Sequence, residues 1–179
     1  MRVIAGECRG FKLFPPDMPG VRPTSDKVKG AVFNMIAGSV PGARAMDLFS
    51  GAGSLGIEAI SRGAAHCIFC DRDAASITLI RKNLMKTGLL ERSTLLHGDF
   101  HRALKYDKMD LIFADPPYGL RLCRVVLEAV SESRVLNDDG ILVLERGDGE
   151  TDPGDAEGLV HEKSRKYGNT WIDIYRSGV

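Results

Sequence analysis

Ala45-Met46-Asp47-Leu48-Phe49-Ser50-Gly51-Ala52-Gly53-Ser54-Leu55-Gly56 is the stretch whose reading decides the fold. Residues 45–49 have the apolar character of a strand, and residues 54–62 read as a helix stopped at Gly63. Between them stands a G-x-G-x-x-G loop, and Asp71 follows 20 residues after Gly51, at the end of the next apolar run. A glycine loop between strand and helix, with an acidic residue at that distance, is the pattern that holds a nucleotide-like cofactor in a doubly wound sheet.

The glycines suit a nicotinamide dinucleotide and S-adenosylmethionine alike, and Asp47 separates the two. In a dinucleotide fold the first helix turns its N-terminus to a pyrophosphate, which a carboxylate just before the glycines would repel. S-adenosylmethionine carries a sulfonium and an ammonium and no phosphate, so a carboxylate there attracts it. The charge argument favours S-adenosylmethionine. A plainer role for Asp47 is to accept the loop's own amides, as Asp does in turns.

Strands and helices alternate outward from this loop. Residues 67–70 read as the next strand, and Asp73 is placed to cap a helix running to Thr87 and ending at Gly88, with Ile77, Ile80 and Leu84 on one face. Residues 94–96, 110–114 and 141–144 read as strands, and 120–131 as a helix. Residues 159–176 read as two strands turning at Gly168-Asn169, residues that tolerate positive φ. The expected fold is α/β, a doubly wound, mainly parallel seven-stranded sheet of Rossmann-like type. At the front, Arg2-Val3-Ile4 and Lys12-Leu13-Phe14 flank Gly6 and Gly10 and suggest a small β-hairpin. Pro15, Pro16, Pro19 and Pro23 make an extended connector, after which Thr24 or Ser25 caps a helix striped by Val28, Val32, Met35 and Ile36. The domain expectation is a hairpin and connector over 1–23 and a main domain over 24–179. Residues 147–158 are acidic and glycine-rich, a composition that favours a mobile loop.

In such a sheet ligands bind outside the carboxyl ends of the strands, where the strand order reverses. Asp47 with Gly51 and Gly53, then Asp71, then Asp99-Phe100, then Asp115-Pro116-Pro117-Tyr118 each follow a successive strand, so all four groups should line one crevice. Asp99 is placed to accept from an adenine amine, with Phe100 against the ring, or to cap the following helix. The last run is stiff, because two prolines remove two donors and fix two φ angles. An acceptor and an aromatic ring flank it, a constellation suited to a planar amine.

The chain has 179 residues with 24 Lys+Arg against 24 Asp+Glu, and is 44% hydrophobic. It can bury a full core, and zero net charge argues against a protein that coats nucleic acid non-specifically. No apolar run is long enough to span a membrane, and the front shows no signal-peptide core, so a cytoplasmic location is expected. Cys67 and Cys70 have metal-like spacing but lie on a strand, on opposite faces, without a second pair. They read as buried thiols, and no metal site is expected.

Taken together, these residues resemble a class I methyltransferase whose amine-methylating members carry an Asp/Asn-Pro-Pro-aromatic run after the fourth strand. The resemblance narrows at Arg2-Val3-Ile4-Ala5-Gly6, Arg9-Gly10, Lys12-Leu13, Arg22-Pro23-Thr24, Val32-Phe33-Asn34, Leu55-Gly56-Ile57-Glu58-Ala59 and Tyr167-Gly168. These are similar to the bacterial family that methylates the guanine exocyclic N2 of 16S ribosomal RNA. The resemblance covers nearly the whole chain. It implies S-adenosylmethionine bound by Thr24, Asp47, Phe49, Gly51, Gly53, Asp71, Arg72, Asp99, Phe100 and Asp115. It implies catalysis at Asp115, Pro116, Pro117 and Tyr118, and contact of Arg2, Arg9, Lys12 and Arg22 with 16S rRNA in a small-subunit assembly intermediate, by a monomer. Gly30 and Phe11 depart from the family's pattern, and the resemblance assigns no role to the acidic loop around Asp152 and Asp155. A methyltransferase for a DNA amine or a protein glutamine, and a nicotinamide-dependent oxidoreductase, are the competing activities. A non-enzymatic RNA-binding protein is disfavoured by the neutral charge.

Overall fold

The computed structural model describes residues 1–16, 25–118 and 122–178. Thr24, Arg22 and most of the proline connector lie outside the described residues. Seven strands form one sheet: β1 (Arg44–Asp47), β2 (His66–Asp71), β3 (Ser93–His97), β4 (Met109–Ala114), β5 (Leu136–Gly147), β6 (Leu159–Tyr167) and β7 (Thr170–Ser177). Their order is β3-β2-β1-β4-β5-β7-β6. The neighbours from β3 through to β5 pair parallel, and β7 is antiparallel to both β5 and β6. The order reverses between β1 and β4, so the crevice at their carboxyl ends is the switch point of the sheet.

Among the described residues five α-helices cover the sheet: α1 (Asp26–Met35), α2 (Ser54–Ser61), α3 (Ala74–Thr87), α4 (Phe100–Ala103) and α5 (Leu122–Ser133). Alternate residues of each strand face opposite layers. Ala45, Cys67, Phe69, Leu111 and Phe113 pack against α1, α2 and α3, while Met46, Ile68, Cys70, Ile112 and Ala114 pack with α4 and α5. Cys67 and Cys70 are therefore buried on opposite faces, as their strand spacing predicted. The caps follow the sequence as well. Ser25, one of the two expected candidates, accepts from Val28 N, and Asp73 accepts from the Ala75 and Ser76 amides.

Three expectations change form. β5 begins five residues before the expected start, because Asn137, Asp138, Asp139 and Gly140 carry no apolar signal yet lie in the strand. The register shift in its pairing with β4, between Met109 and Leu111, marks that polar stretch. The N-terminal hairpin is present but short, centred on the antiparallel bridge of Arg2 to Lys12. Backbone bonds from Val3 N to Phe11 O at 2.9 Å, Gly10 N to Val3 O at 2.9 Å and Leu13 N to Met1 O at 3.2 Å join the same two arms, and the turn between them pairs with a helix as well. Glu58 of α2 accepts the Ile4 and Ala5 amides at 2.8 and 3.0 Å, Ser61 O accepts Glu7 N at 2.9 Å, and Ser61 Oγ accepts Cys8 N at 3.0 Å. A Cβ on Gly6 would fall 1.7 Å from Ser61 O, so only glycine permits this approach. The acidic 147–158 stretch, expected to be mobile, is tied down. Arg124 of α5 donates to Pro153 O and Asp155 O at 2.8 and 2.7 Å, and Tyr175 donates to Gly154 O at 3.0 Å.

Two buried ion networks hold the layers in register. Lys29 of α1 is fully buried and donates to Arg2 O at 2.6 Å and Ser54 Oγ at 2.9 Å, with Glu58 at 3.4 Å. Arg62 completes that network with a 2.7 Å bond to Glu58. Burial drives the Lys29 ammonium down from its usual range, opposed by the Glu58 charge. On the other face Arg146 of β5 and Asp173 of β7, both buried, pair at 2.6 Å. Removing one member of such a pair strands a buried charge, a loss of roughly 3–5 kcal/mol.

Candidate active site

The site is built from four loops at the carboxyl ends of β1, β2, β3 and β4. The first is the glycine loop. Gly56 lies so close to β2 that a Cβ there would meet the Phe69 ring at 2.3 Å and Cys67 Sγ at 2.8 Å. That close seating brings the start of α2 down onto the end of β1. Gly51 N donates to Asp71 at 2.8 Å, so the loop and the end of β2 brace one another.

Asp47, the last residue of β1, is buried at 1% exposure. Its Oδ2 accepts from Gly56 N at 3.3 Å, and its Oδ1 accepts no hydrogen bond among the described residues. Burial pushes the carboxyl up to about 7, the nearby Asp71 charge adds to the push, and the backbone amides of Gly56 and Phe49 oppose it. An unpartnered, buried carboxylate oxygen is a costly feature unless a ligand completes it. A cationic ligand would pair with it and lower its pKa again, so the donor set fits an ammonium-bearing cofactor. Asp47 performs the plainer role too, since it does accept a loop amide.

Asp71 ends β2, with Oδ2 on Gly51 N and Oδ1 accepting from Asp73 N at 2.9 Å. A carboxylate has about four lone-pair positions, so capacity remains for a ligand diol. Asp99, at the start of α4, is that helix's cap and accepts from His101 N at 3.0 Å. That amide, more than the His101 and Arg72 charges, holds its carboxyl below the usual range. Phe100 is buried at 6% exposure, and the partly buried Phe49 packs on it with ring centroids 5.3 Å apart. Phe49, not Phe100, is the more accessible of the two rings. Arg72 is exposed, with His97 Nε2 at its carbonyl.

The fourth loop begins at Asp115. In the sheet Asp47 pairs with Phe113, and Leu48 N donates to Phe113 O at 2.9 Å, so the two loops leave adjacent strands side by side. Asp115 lies two residues past that pair, about 8 Å from Asp47 by strand spacing and rise. Asp115 is partly buried, Pro116 buried, and Pro117 and Tyr118 exposed. The Tyr118 hydroxyl donates to Glu145 Oε1 of β5 at 2.9 Å and stands 3.5 Å from Thr170 Oγ1. Burial pushes the phenol well above its ordinary value, and the carboxylates of Glu145 and Asp115 add to the push. Asp47, Gly51, Gly53, Asp71, Asp99, Phe100 and Asp115 to Tyr118 therefore gather at one end of the sheet. Arg2, Arg9 and Lys12 are exposed on the N-terminal segment, where Arg2 pairs with Asp26 at 3.2 Å. No group of residues arranged to hold a metal ion occurs among the described residues.

Sequence reasoning missed three buried polar residues that serve this site. Asn83 of α3 donates to Ala52 O in the glycine loop at 2.9 Å and to Phe14 O at 3.1 Å, and accepts from Phe14 N at 2.7 Å. Lys29 fixes Ser54 at the start of α2, and Glu145 holds Tyr118. Each is a polar residue interrupting an apolar stripe, which was the available signal.

Against known proteins, the model of the family described as conserved hypothetical protein 95 matches residues 1–176. "Putative rRNA methyltransferase YlbH" of Bacillus subtilis is 38% identical over 98% of this chain and 98% of its own length. Ribosomal RNA small subunit methyltransferase D of Escherichia coli is 34% identical over 81% of this chain and 74% of its own length. Among solved structures, "Putative methyltransferase yhhF from Escherichia coli" is 26% identical, covers 99% of this chain and 98% of its own, and superposes with a TM-score of 0.89.

Proposed function

This chain belongs to the conserved hypothetical protein 95 family, and we propose that it transfers a methyl group from S-adenosylmethionine to the exocyclic N2 amine of a guanine in small-subunit ribosomal RNA. The fold is that of the class I methyltransferases, the two relatives named above carry the names of rRNA methyltransferases, and the solved structure carries that of a methyltransferase. The observation that carries the reading is the pairing of two unlike loops on adjacent strands. One ends in a buried carboxylate with an unpartnered oxygen, and the other in a stiff acceptor-and-aromatic run.

The cofactor supplies an electrophilic methyl on a sulfonium. The chain's residues do the rest. Asp47 would take the ammonium, Asp71 the ribose hydroxyls, and Asp99 the adenine amine, with Phe49, Phe100, Gly51, Gly53, Arg72 and Thr24 as the remaining cofactor contacts. Asp115 and the Pro116 carbonyl accept the two N–H bonds of the guanine amine. The amine's lone pair is otherwise delocalised into the ring, so these bonds aim it at the methyl carbon, catalysis largely by orientation. Asp115 stabilises positive charge developing on nitrogen and receives the departing proton. Pro117 keeps the loop stiff, and Tyr118 stacks on a base splayed out of its helix.

Arg2, Arg9, Lys12 and Arg22 serve as phosphate contacts. Zero net charge limits the affinity that phosphates alone supply. This favours a folded target, an assembly intermediate of the small subunit, over naked RNA, and we take the enzyme to act as a cytoplasmic monomer. No helix among the described residues is long and apolar enough to cross a membrane. The test offers labelled S-adenosylmethionine with unmodified small-subunit particles, naked 16S rRNA, DNA and a protein glutamine substrate. Label confined to RNA, and strongest in particles, is expected; label in DNA or protein would overturn the reading.

A further inference from the structure

We propose that Glu145 is a positioning residue for the methyl transfer: it fixes the plane of the Tyr118 ring on which the target base stacks. This rests on the reading of the Asp115 to Tyr118 loop as the base-binding half of the site. Glu145 is 5% exposed, and its Oε1 lies 2.9 Å from the Tyr118 hydroxyl. Two residues further along β5, on the same face, a Cβ on Gly147 would stand 3.5 Å from Tyr118 Cγ and Cδ1, so the ring rests against that backbone. Thr170, the sheet partner of Gly147, completes the seat with its hydroxyl 3.5 Å from the phenol. Three points on two strands thus hold a side chain that is 51% exposed and sits on a loop.

An exposed tyrosine without these contacts would sample several rotamers, and a base stacked on it would share that freedom. The hydroxyl–carboxylate bond removes it. The tether starts in the rigid sheet, whereas the ring starts in the loop, so Glu145 transmits the sheet's geometry to the base. Its effect falls on alignment of the amine and hence on kcat. The tether touches none of the surfaces proposed to hold the particle, so KM for the particle is little affected.

Glu145→Ala, Glu145→Gln, Tyr118→Phe and the double variant Glu145→Ala/Tyr118→Phe test this. Loss of a hydrogen bond to a charged group predicts a fall in kcat of about tenfold or more for Glu145→Ala and for Tyr118→Phe. Glu145→Gln, which keeps an acceptor, should retain most of the activity, and the double variant should be no worse than either single one. Calorimetry should find S-adenosylmethionine affinity unchanged in all four. In 3-fluorotyrosine-labelled protein, the resonance that Tyr118→Phe deletes should narrow and shift in Glu145→Ala and stay in place in Glu145→Gln. Glu145→Gln as impaired as Glu145→Ala would make the carboxylate a proton acceptor and overturn the proposal. So would additive effects in the double variant, a lowered melting temperature with unchanged kcat, or an unmoved fluorine resonance. A wild-type protein that binds cofactor but labels no RNA would instead overturn the proposed function, and the fluorine spectra would still decide whether Glu145 holds the ring.

Discussion

Asp47 is held where ionisation is disfavoured, and that makes it measurable. Its folded carboxyl stands at about 7 against an ordinary 3.8. A raised carboxyl stabilises the fold in its protonated form. This contribution is complete below 3.8 and is lost as pH rises through about 7. The cofactor-free protein should therefore melt at lower temperature at pH 8 than at pH 5, and Asp47→Asn should flatten that slope. Cofactor affinity should run the other way and rise through pH 7, because an ammonium favours the ionised form. Parallel melting curves for the two proteins, with pH-independent binding, would refute the pairing. At Asp115 the separation is between binding and chemistry. Asp115→Ala should abolish methyl transfer while leaving S-adenosylmethionine affinity within about threefold, less than 1 kcal/mol. Calorimetry beside a transfer assay reads both, and loss of affinity as the main defect would move Asp115 into the cofactor half.

At the scale of elements, the glycine loop depends on its neighbours. Asn83→Ala removes the partner of the buried Ala52 O, a loss of about 1–3 kcal/mol, and frees the exposed Phe14 backbone to water. The variant should melt several degrees lower and bind cofactor more weakly, since the loop and the N-terminal segment lose their shared clasp. Unchanged cofactor affinity would mean the clasp is purely structural. Much of this scale was legible in the sequence. The Asp73 cap, the Gly88 stop and the turn at Gly168-Asn169 each depend on local chemistry, and each appears where local rules put it. What escaped depends on distant partners. The early part of β5 is polar and bulges between the Leu136 and Ile141 pairs with β4, and the turn of the N-terminal hairpin is held by hydrogen bonds to α2, 53 and 54 residues away in sequence. Asn83, Lys29 and Glu145 looked like flaws in apolar stripes because their partners lie on other elements.

For the whole molecule, neutrality sets the terms of RNA recognition. Arg9 and Lys12 are exposed on the segment clasped by α2 and α3. Replacing both by Ala should weaken particle binding and reduce the slope of log affinity against log salt by about 1.5. An unaltered slope would place the RNA on another face. The competition between activities is decided by the product. Single-turnover transfer of labelled methyl to unmodified small-subunit particles, followed by digestion to nucleosides and chromatography, reads which atom received it. The account predicts one labelled product, N2-methylguanosine, lost in Asp115→Ala; label on any other base or ring position, or undiminished label in that variant, would contradict it.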